Sequence, residues 1–341
     1  MVILAGNNNF LDGQTVKTKN IYNELVKKYG EENISKIDTF NWKKHPIYFI
    51  RKCRKELRNT ENLIILPAHN GVKVFVPFFN FWNKFYHKKI FYAVVGGWLP
   101  ELLASKVWLT KEIRKLSKVF VETTKMKEDL SKLAIKNVEI LVNFKSIQIL
   151  NEKDLKYEYS RPLELCTFSR VMKEKGIEDA VRAVCEINSM HSDIFAELDI
   201  YGQIEDNQEE WLKKLQTLAP GYIKYKGMVP FSQSTKVLKE YDALLFPTYY
   251  EGEGFAGTII DAFAAGLPVI ASDWKYNSEI IKSGMTGVIF KTHSINELKN
   301  AIISIDKDIK KWNLMRQNCI SEAKRYLPAN AMKKLIDIVN G

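Results

Sequence analysis

Short apolar runs alternate with amphipathic stretches along the whole chain, and their periods set the expected elements. In the first half Val2 to Ala5, Ile34 to Phe40, Leu63 to Leu66, Lys89 to Val95, Val119 to Glu122 and Val138 to Leu141 read as buried parallel strands. Leu163 to Phe168, Ala196 to Tyr201, Ile223 to Met228, Asp242 to Phe246, Leu267 to Ala271 and Gly287 to Phe290 repeat the pattern in the second. Helical periodicity predicts helices over Thr15 to Tyr29, from Gly176 or Ile177 onward, over Ile295 to Ser304 and over Ile309 to Arg325. Pro328 breaks the pattern before a last amphipathic piece, Ala331 to Val339. Strands alternating with helices imply an α/β protein built of two doubly wound, Rossmann-like domains. The expected division is 1–155, 156–323 and a terminal segment 324–341, with the join in the charged, aperiodic stretch Asn143 to Arg161.

The densest chemistry lies in PTYYEGEGFAGTIIDAFAAGLPVIASD, residues 247–273. Its polar, glycine-punctuated turn follows a buried parallel strand, and open α/β sheets bind ligands at the carboxyl ends of their strands. The glycines permit close backbone approach, and the helix that opens there offers unpaired N–H groups to an anion such as a diphosphate. Gly254, Phe255, Ala256, Gly257 and Thr258 are the candidates along that backbone. Glu253 and Asp261 are acceptors, which suit sugar hydroxyls and not phosphate. A nucleotide sugar has both groups. The alternative is an acid that complements the helix dipole at Glu253 and a solvent-facing acid at Asp261. Arg170 and Lys175 follow the strand Leu163 to Phe168 beside a helix start, where they can supply charge-assisted bonds to a diphosphate, unless the loop is simply a solvated charged one. Among the five histidines only His69 is placed at a strand end; it is a cleft candidate or a structural residue.

EGFAGTIIDAFAAGLPVIASD closely resembles the donor-binding segment of glycosyltransferase family 4, the retaining, metal-independent nucleotide-sugar transferases of the GT-B fold. The resemblance implies two domains facing a central cleft and a last helix that crosses back to the first domain. It implies that Glu253 meets the transferred sugar, that the R-x4-K pair Arg170 and Lys175 holds the diphosphate, and that Asp261 takes the ribose hydroxyls where the family usually has glutamate. It also implies a first loop that faces the cleft, with Gly13 and Gln14 near the donor phosphates, Gly202 in the donor cleft, and backbone near Met228 and Val229 reading the base. Where many members carry a sugar-contacting histidine, this chain has Gly96, Gly97 and Trp98, which join His69 as acceptor-side candidates. DGQTVKTKNIYNEL and VVGGWLPE resemble bacterial members that build capsular or other surface polysaccharides. The implied activity is transfer of a hexosyl group from a UDP- or GDP-sugar to an acceptor hydroxyl with retention, with neither metal nor cofactor.

Composition adds a location and two rivals. Four cysteines, Cys53, Cys166, Cys185 and Cys319, are widely spaced without metal-ligand patterning and read as reduced thiols of a cytoplasmic protein. MVILAGNNN has no basic residues before its short apolar run, so a strand is expected and not a signal peptide; no run approaches the 18 apolar residues of a membrane span. The net charge of +11 is uneven: residues 1–155 hold 27 basic against 15 acidic side chains, and residues 156–341 hold 24 against 25. KKHPIYFIRKCRKELR (Lys43 to Arg58) and the aromatic stretch Val74 to Tyr92 suit docking at the cytoplasmic face of a membrane to reach a lipid-linked saccharide acceptor. Otherwise these aromatics are core and the lysines a solvated face. A basic nucleic-acid-binding protein is disfavoured by the lack of zinc-finger, RNP or zipper patterns, and no nucleic-acid partner is expected. A GT-B chain that has lost activity and serves as a scaffold is the other alternative.

Overall fold

The short strands of the first half pair side by side because a helix returns the chain after each but the last. Described are residues 2–5, 13–39, 42–218 and 221–340 of a computed structural model, with backbone alone for 2–5. In the first half β1 (Val2–Ala5), α1 (Gly13–Tyr29), β2 (Ser35–Asp38), α2 (Pro46–Asn59), β3 (Asn62–Ile65), α3 (Val72–Tyr86) and β4 (Lys89–Ala93) follow in order. Then come α4 (Leu99–Ser105), α5 (Val107–Ile113), β5 (Lys118–Val121), α6 (Thr124–Lys132) and β6 (Val138–Ile140). The strands form a parallel sheet in the order β2-β1-β3-β4-β5-β6. The order reverses between β1 and β3. The first loop, residues 6–12, lies outside the described residues.

Of the helices that periodicity did not indicate, α2 and α3 are the longest. In α2, Phe49, Cys53 and Leu57 are buried at i, i+4 and i+8, with Pro46 at the first position, where its missing N–H costs nothing. In α3, Pro77 lies inside the helix, a signal that ordinarily argues against one. Burial of Val72, Phe75, Val76 and Phe79 overrides it.

The second half repeats the design with β7 (Leu163–Phe168), α7 (Ile177–Asn188), β8 (Ala196–Tyr201), α8 (Glu209–Thr217), β9 (Ile223–Gly227), α9 (Ser234–Leu238) and β10 (Ala243–Phe246). It continues with α10 (Gly257–Ala264), β11 (Val269–Ser272), α11 (Asn277–Ile280), β12 (Gly287–Phe290), α12 (Ile295–Lys307) and α13 (Ile309–Ala323). This sheet is also parallel, in the order β12-β11-β10-β7-β8-β9. It is the doubly wound order of dinucleotide-binding folds, with its switch point between β7 and β10. Val181, Val184, Leu198, Leu245, Ile302 and Trp312 are among its buried core residues.

Two units result, Met1–Ser146 with Pro328–Gly341, and Ile147–Leu327. The chain thus returns to the first unit through α14 (Pro328–Ala331) and α15 (Lys333–Asn340); Ala331, Leu335 and Val339 of these helices, with Met332 between them, pack with Ile21, Leu25, Phe91 and Phe120. Lys334 ion-pairs with Glu139 of β6 at 2.5 Å, and Asn62 donates to the Val339 carbonyl.

Candidate active site

At the switch point of the second sheet, the loops after β7 and β10 bring together residues far apart in sequence. Gly176 is the hinge of the first loop. Its φ is +70°, and a Cβ there would lie 2.0 Å from the Pro247 carbonyl oxygen, so only glycine lets the two loops close on each other. The Glu174 carbonyl accepts from the Tyr249 amide at 2.8 Å. Lys175 is thereby carried to Glu253. Its Nζ donates to Glu253 Oε2 at 2.6 Å, and both side chains are less than a tenth exposed. Thr248 Oγ1 donates to the same oxygen at 2.9 Å. Two donors on one carboxylate oxygen hold the acid in a single orientation.

Arg170 stands nearer solvent. Its guanidinium pairs with Glu205 at 2.8 Å and lies 5.3 Å from the centre of the Tyr250 ring, which Lys175 Nζ approaches to 4.8 Å. Partial burial opposes the charge of Arg170, but hydrogen bonds to Glu205 and Tyr250 outweigh it and push its pKa further up. Tyr250 is fixed in turn by Trp274, whose indole donates to its carbonyl. Two cations therefore share one aromatic wall. Gly202 has a role in this geometry that needs no ligand: its φ is +140°, and a Cβ would meet the Ser169 carbonyl oxygen at 1.7 Å. It lets β8 run close beside the residue before Arg170.

The remaining donor-side candidates divide by side-chain position. Asp261 is buried on α10 and accepts from Ser234 Oγ of α9 at 3.2 Å. Gly254 is buried, and the Phe255 ring packs edge-on against Tyr326 at 4.9 Å, so what Phe255 can offer a ligand is backbone. Ala256 and Gly257 lead into α10 with no side-chain cap on its amides, and Thr258 Oγ1 is buried without a hydrogen-bond partner. Met228, 64% exposed, and the half-buried Val229 follow β9.

In the first unit Gly13 and Gln14 open α1, and Gln14 Nε2 donates to the Leu66 carbonyl, tying the start of α1 to the residue that follows β3. His69 is exposed beyond β3, and its ring meets Trp98 edge-on at 5.1 Å. Trp98 is held by its indole, which donates to the Val95 carbonyl at 2.8 Å, while Gly96 has a φ of +86° and Gly97 is buried. Beneath this group Lys17 is almost fully buried, ion-paired with Glu122 at 2.6 Å and donating to the Val94 carbonyl at 2.9 Å. The acceptor-side candidates of the first unit therefore lie together at the end of its sheet.

Sequence reasoning passed over Thr248, Tyr250, Glu205, Ser234 and the Lys17–Glu122 pair. Thr248 and Tyr250 carried one available signal, their place directly after a buried strand. Glu205 and Ser234 become visible only when β8 and α9 are set beside their neighbours. Among the described residues no group of three histidine, cysteine, aspartate or glutamate side chains is placed to hold a metal ion, and no helix is long and apolar enough to cross a membrane.

A family model described as glycosyl transferases group 1 matches residues 148–326, more than half of the 341 residues and nearly the whole second unit. The chain belongs to that family. An uncharacterized glycosyltransferase of Methanocaldococcus jannaschii is 25% identical over 217 residues, 58% of this chain and 52% of that protein. The UDP-N-acetylglucosamine--peptide N-acetylglucosaminyltransferase GtfA subunit of Streptococcus gordonii is 27% identical over 183 residues, 53% of this chain and 35% of its own length. The chain thus spans about half or less of these relatives. Among solved structures, Anabaena HepE in complex with UDP superposes with a TM-score of 0.77 at 12% identity, each chain covered to 99%. The fold is that of the GT-B transferases, as the sequence resemblance implied.

Proposed function

We propose that this group 1 glycosyltransferase moves a hexosyl group from a UDP- or GDP-sugar to a saccharide hydroxyl, with retention and without a metal. The observation that carries the reading is the set Arg170, Lys175, Thr248 and Glu253 at the switch point of the second sheet. In this reading Arg170 and Lys175 bind the diphosphate together with the amides of Gly254 to Thr258, and Glu253 accepts from the transferred sugar. Asp261 takes the ribose, and backbone near Met228 and Val229 meets the base. The acceptor oxygen attacks C1 from the face that the diphosphate leaves; the C1–O bond to phosphate breaks as the new C–O bond forms, and a phosphate oxygen takes the acceptor proton. The cations stabilise the charge that grows on the leaving diphosphate, the task a metal has in other transferases. A UDP-sugar is favoured by the name of the streptococcal relative and by the UDP held in HepE.

His69, Gly96, Gly97 and Trp98 receive the acceptor, with the indole offering a stacking face. The acceptor is a lipid-linked saccharide of a bacterial surface-polysaccharide route, met at the cytoplasmic face of the membrane. Thermal denaturation with UDP, GDP and ADP tests the donor assignment: the right nucleotide at 100 times its dissociation constant stabilises by about 2.7 kcal/mol. No shift with any nucleoside diphosphate overturns it. Turnover in excess EDTA is expected, and the product's anomeric configuration, read by NMR, reports retention or inversion.

A further inference from the structure

We propose that the outer faces of α2 and α3 form one docking surface for an anionic lipid bilayer. The inference extends the reading of a lipid-linked acceptor, but it rests on features of its own. On α2 the residues opposite the buried Phe49, Cys53 and Leu57 are Ile47, Tyr48, Arg51, Arg54, Lys55 and Arg58. Spacings of three and four put the cations in one stripe, with Ile47 and Tyr48, each 68% exposed, one turn ahead. The four cations line a groove of about 370 Å³ that includes no acid. Among the described residues none of the four pairs with a carboxylate, whereas Lys156, Arg161, Lys224 and Lys299 of the second unit all do. Arg54 turns instead to aromatics, lying 5.0 Å from the Trp82 ring and donating to Tyr86 Oη.

Through Trp82 the basic stripe runs on into an apolar one. Trp82 meets Phe81 at 5.6 Å and Phe85 at 6.3 Å, and Phe81 and Phe85 are 54% and 64% exposed. Four cations without a carboxylate partner, joined to a strip of exposed aromatic rings, match the two layers of a membrane surface: anionic phosphates for the guanidinium and ammonium groups, and the headgroup boundary for the rings. A duplex nucleic acid would satisfy the cations and leave Phe81 and Phe85 in water. An ordinary protein partner would be expected to bring acids opposite a stripe this basic.

Co-sedimentation with phosphatidylcholine vesicles, with and without phosphatidylglycerol, tests the surface on the full chain. Wild type should pellet with the anionic vesicles at low salt and be released at high salt. A variant with Arg51, Arg54, Lys55 and Arg58 changed to Ser should partition at least about a hundredfold more weakly. A second variant, Phe81→Ser with Phe85→Ser, should lose binding even at low salt. All these side chains are exposed, so UDP should stabilise both variants as it stabilises wild type; an absent UDP shift in wild type counts against the transferase reading and leaves the vesicle result standing. Wild type that stays in the supernatant, or a charge variant that pellets equally, overturns the docking surface. So does a charge variant that loses duplex DNA and keeps its vesicles.

Discussion

Lys175 and Glu253 are buried against each other, so neither can be removed without consequence for its partner. Lys175→Met leaves a carboxylate in a low-dielectric site with Thr248 as its remaining donor, a loss of about 3–5 kcal/mol in stability. Adding Glu253→Gln should restore much of that stability, because the uncompensated charge is gone, and should leave donor turnover abolished. Urea denaturation of the two single variants and the double variant measures the coupling; additive losses would show that Lys175 and Glu253 do not stabilise each other. Arg170 presents the opposite case. Its partner Glu205 is exposed, so the pair contributes little to stability, yet it stands on the cation that the diphosphate needs. Glu205→Gln should therefore tighten UDP binding by up to about fivefold while the melting temperature hardly moves. Unchanged or weaker UDP binding in a calorimetric titration removes Glu205 as a competitor for Arg170.

At the scale of elements, α15 is what completes the first unit's core. Leu335 is fully buried among residues of α1, β4 and β5, and Leu335→Ala should cost about 2–5 kcal/mol, read as a lower denaturation midpoint. Glu139 adds a pH dependence. Its hydrogen bond to Lys334 holds its carboxyl below its ordinary pKa against a smaller opposing effect of burial, so this contribution is fully present above the unfolded value and is lost as pH falls below it through the lowered folded one. Glu139→Gln should flatten acid destabilisation over that range. The strands of both sheets were legible in the sequence because a parallel strand buried on both faces is an unbroken apolar run; β1, β7 and β12 have the boundaries the pattern indicated. Helices α2 and α3 were not, because an aromatic on nearly every turn of α3 blurs the 3.6 period and Pro77 speaks against it. The partners of Glu253 and Arg170 were hidden for a different reason. Lys175 is 78 residues from Glu253 and Glu205 is 35 residues from Arg170, so these pairs depend on strand order, which is not written in local spacing, whereas Thr248, five residues before Glu253, carried only its place after a buried strand.

The whole molecule is asymmetric in how its two units are made. Residues 147–327 are one continuous stretch with their own sheet and core, and the family match at 148–326 has almost the same bounds. The first unit is discontinuous, since it needs 328–341 to cover Phe91 and Phe120. A stretch of chain that closes its own core can fold without the rest, whereas one that lends its core a segment from the far end cannot. Residues 147–327 expressed alone should therefore unfold cooperatively and, in the proposed reading, keep UDP binding, because Arg170, Lys175, Glu253 and Asp261 all lie within them. Residues 1–146 alone should be expanded and bind the hydrophobic dye ANS, and fusing 328–341 through a flexible linker should restore a cooperative transition. Circular dichroism melts of the three pieces, with a UDP titration of the first, give the answer. If 147–327 does not fold, or if 1–146 melts as sharply as its fused form, the units are not independent in this way.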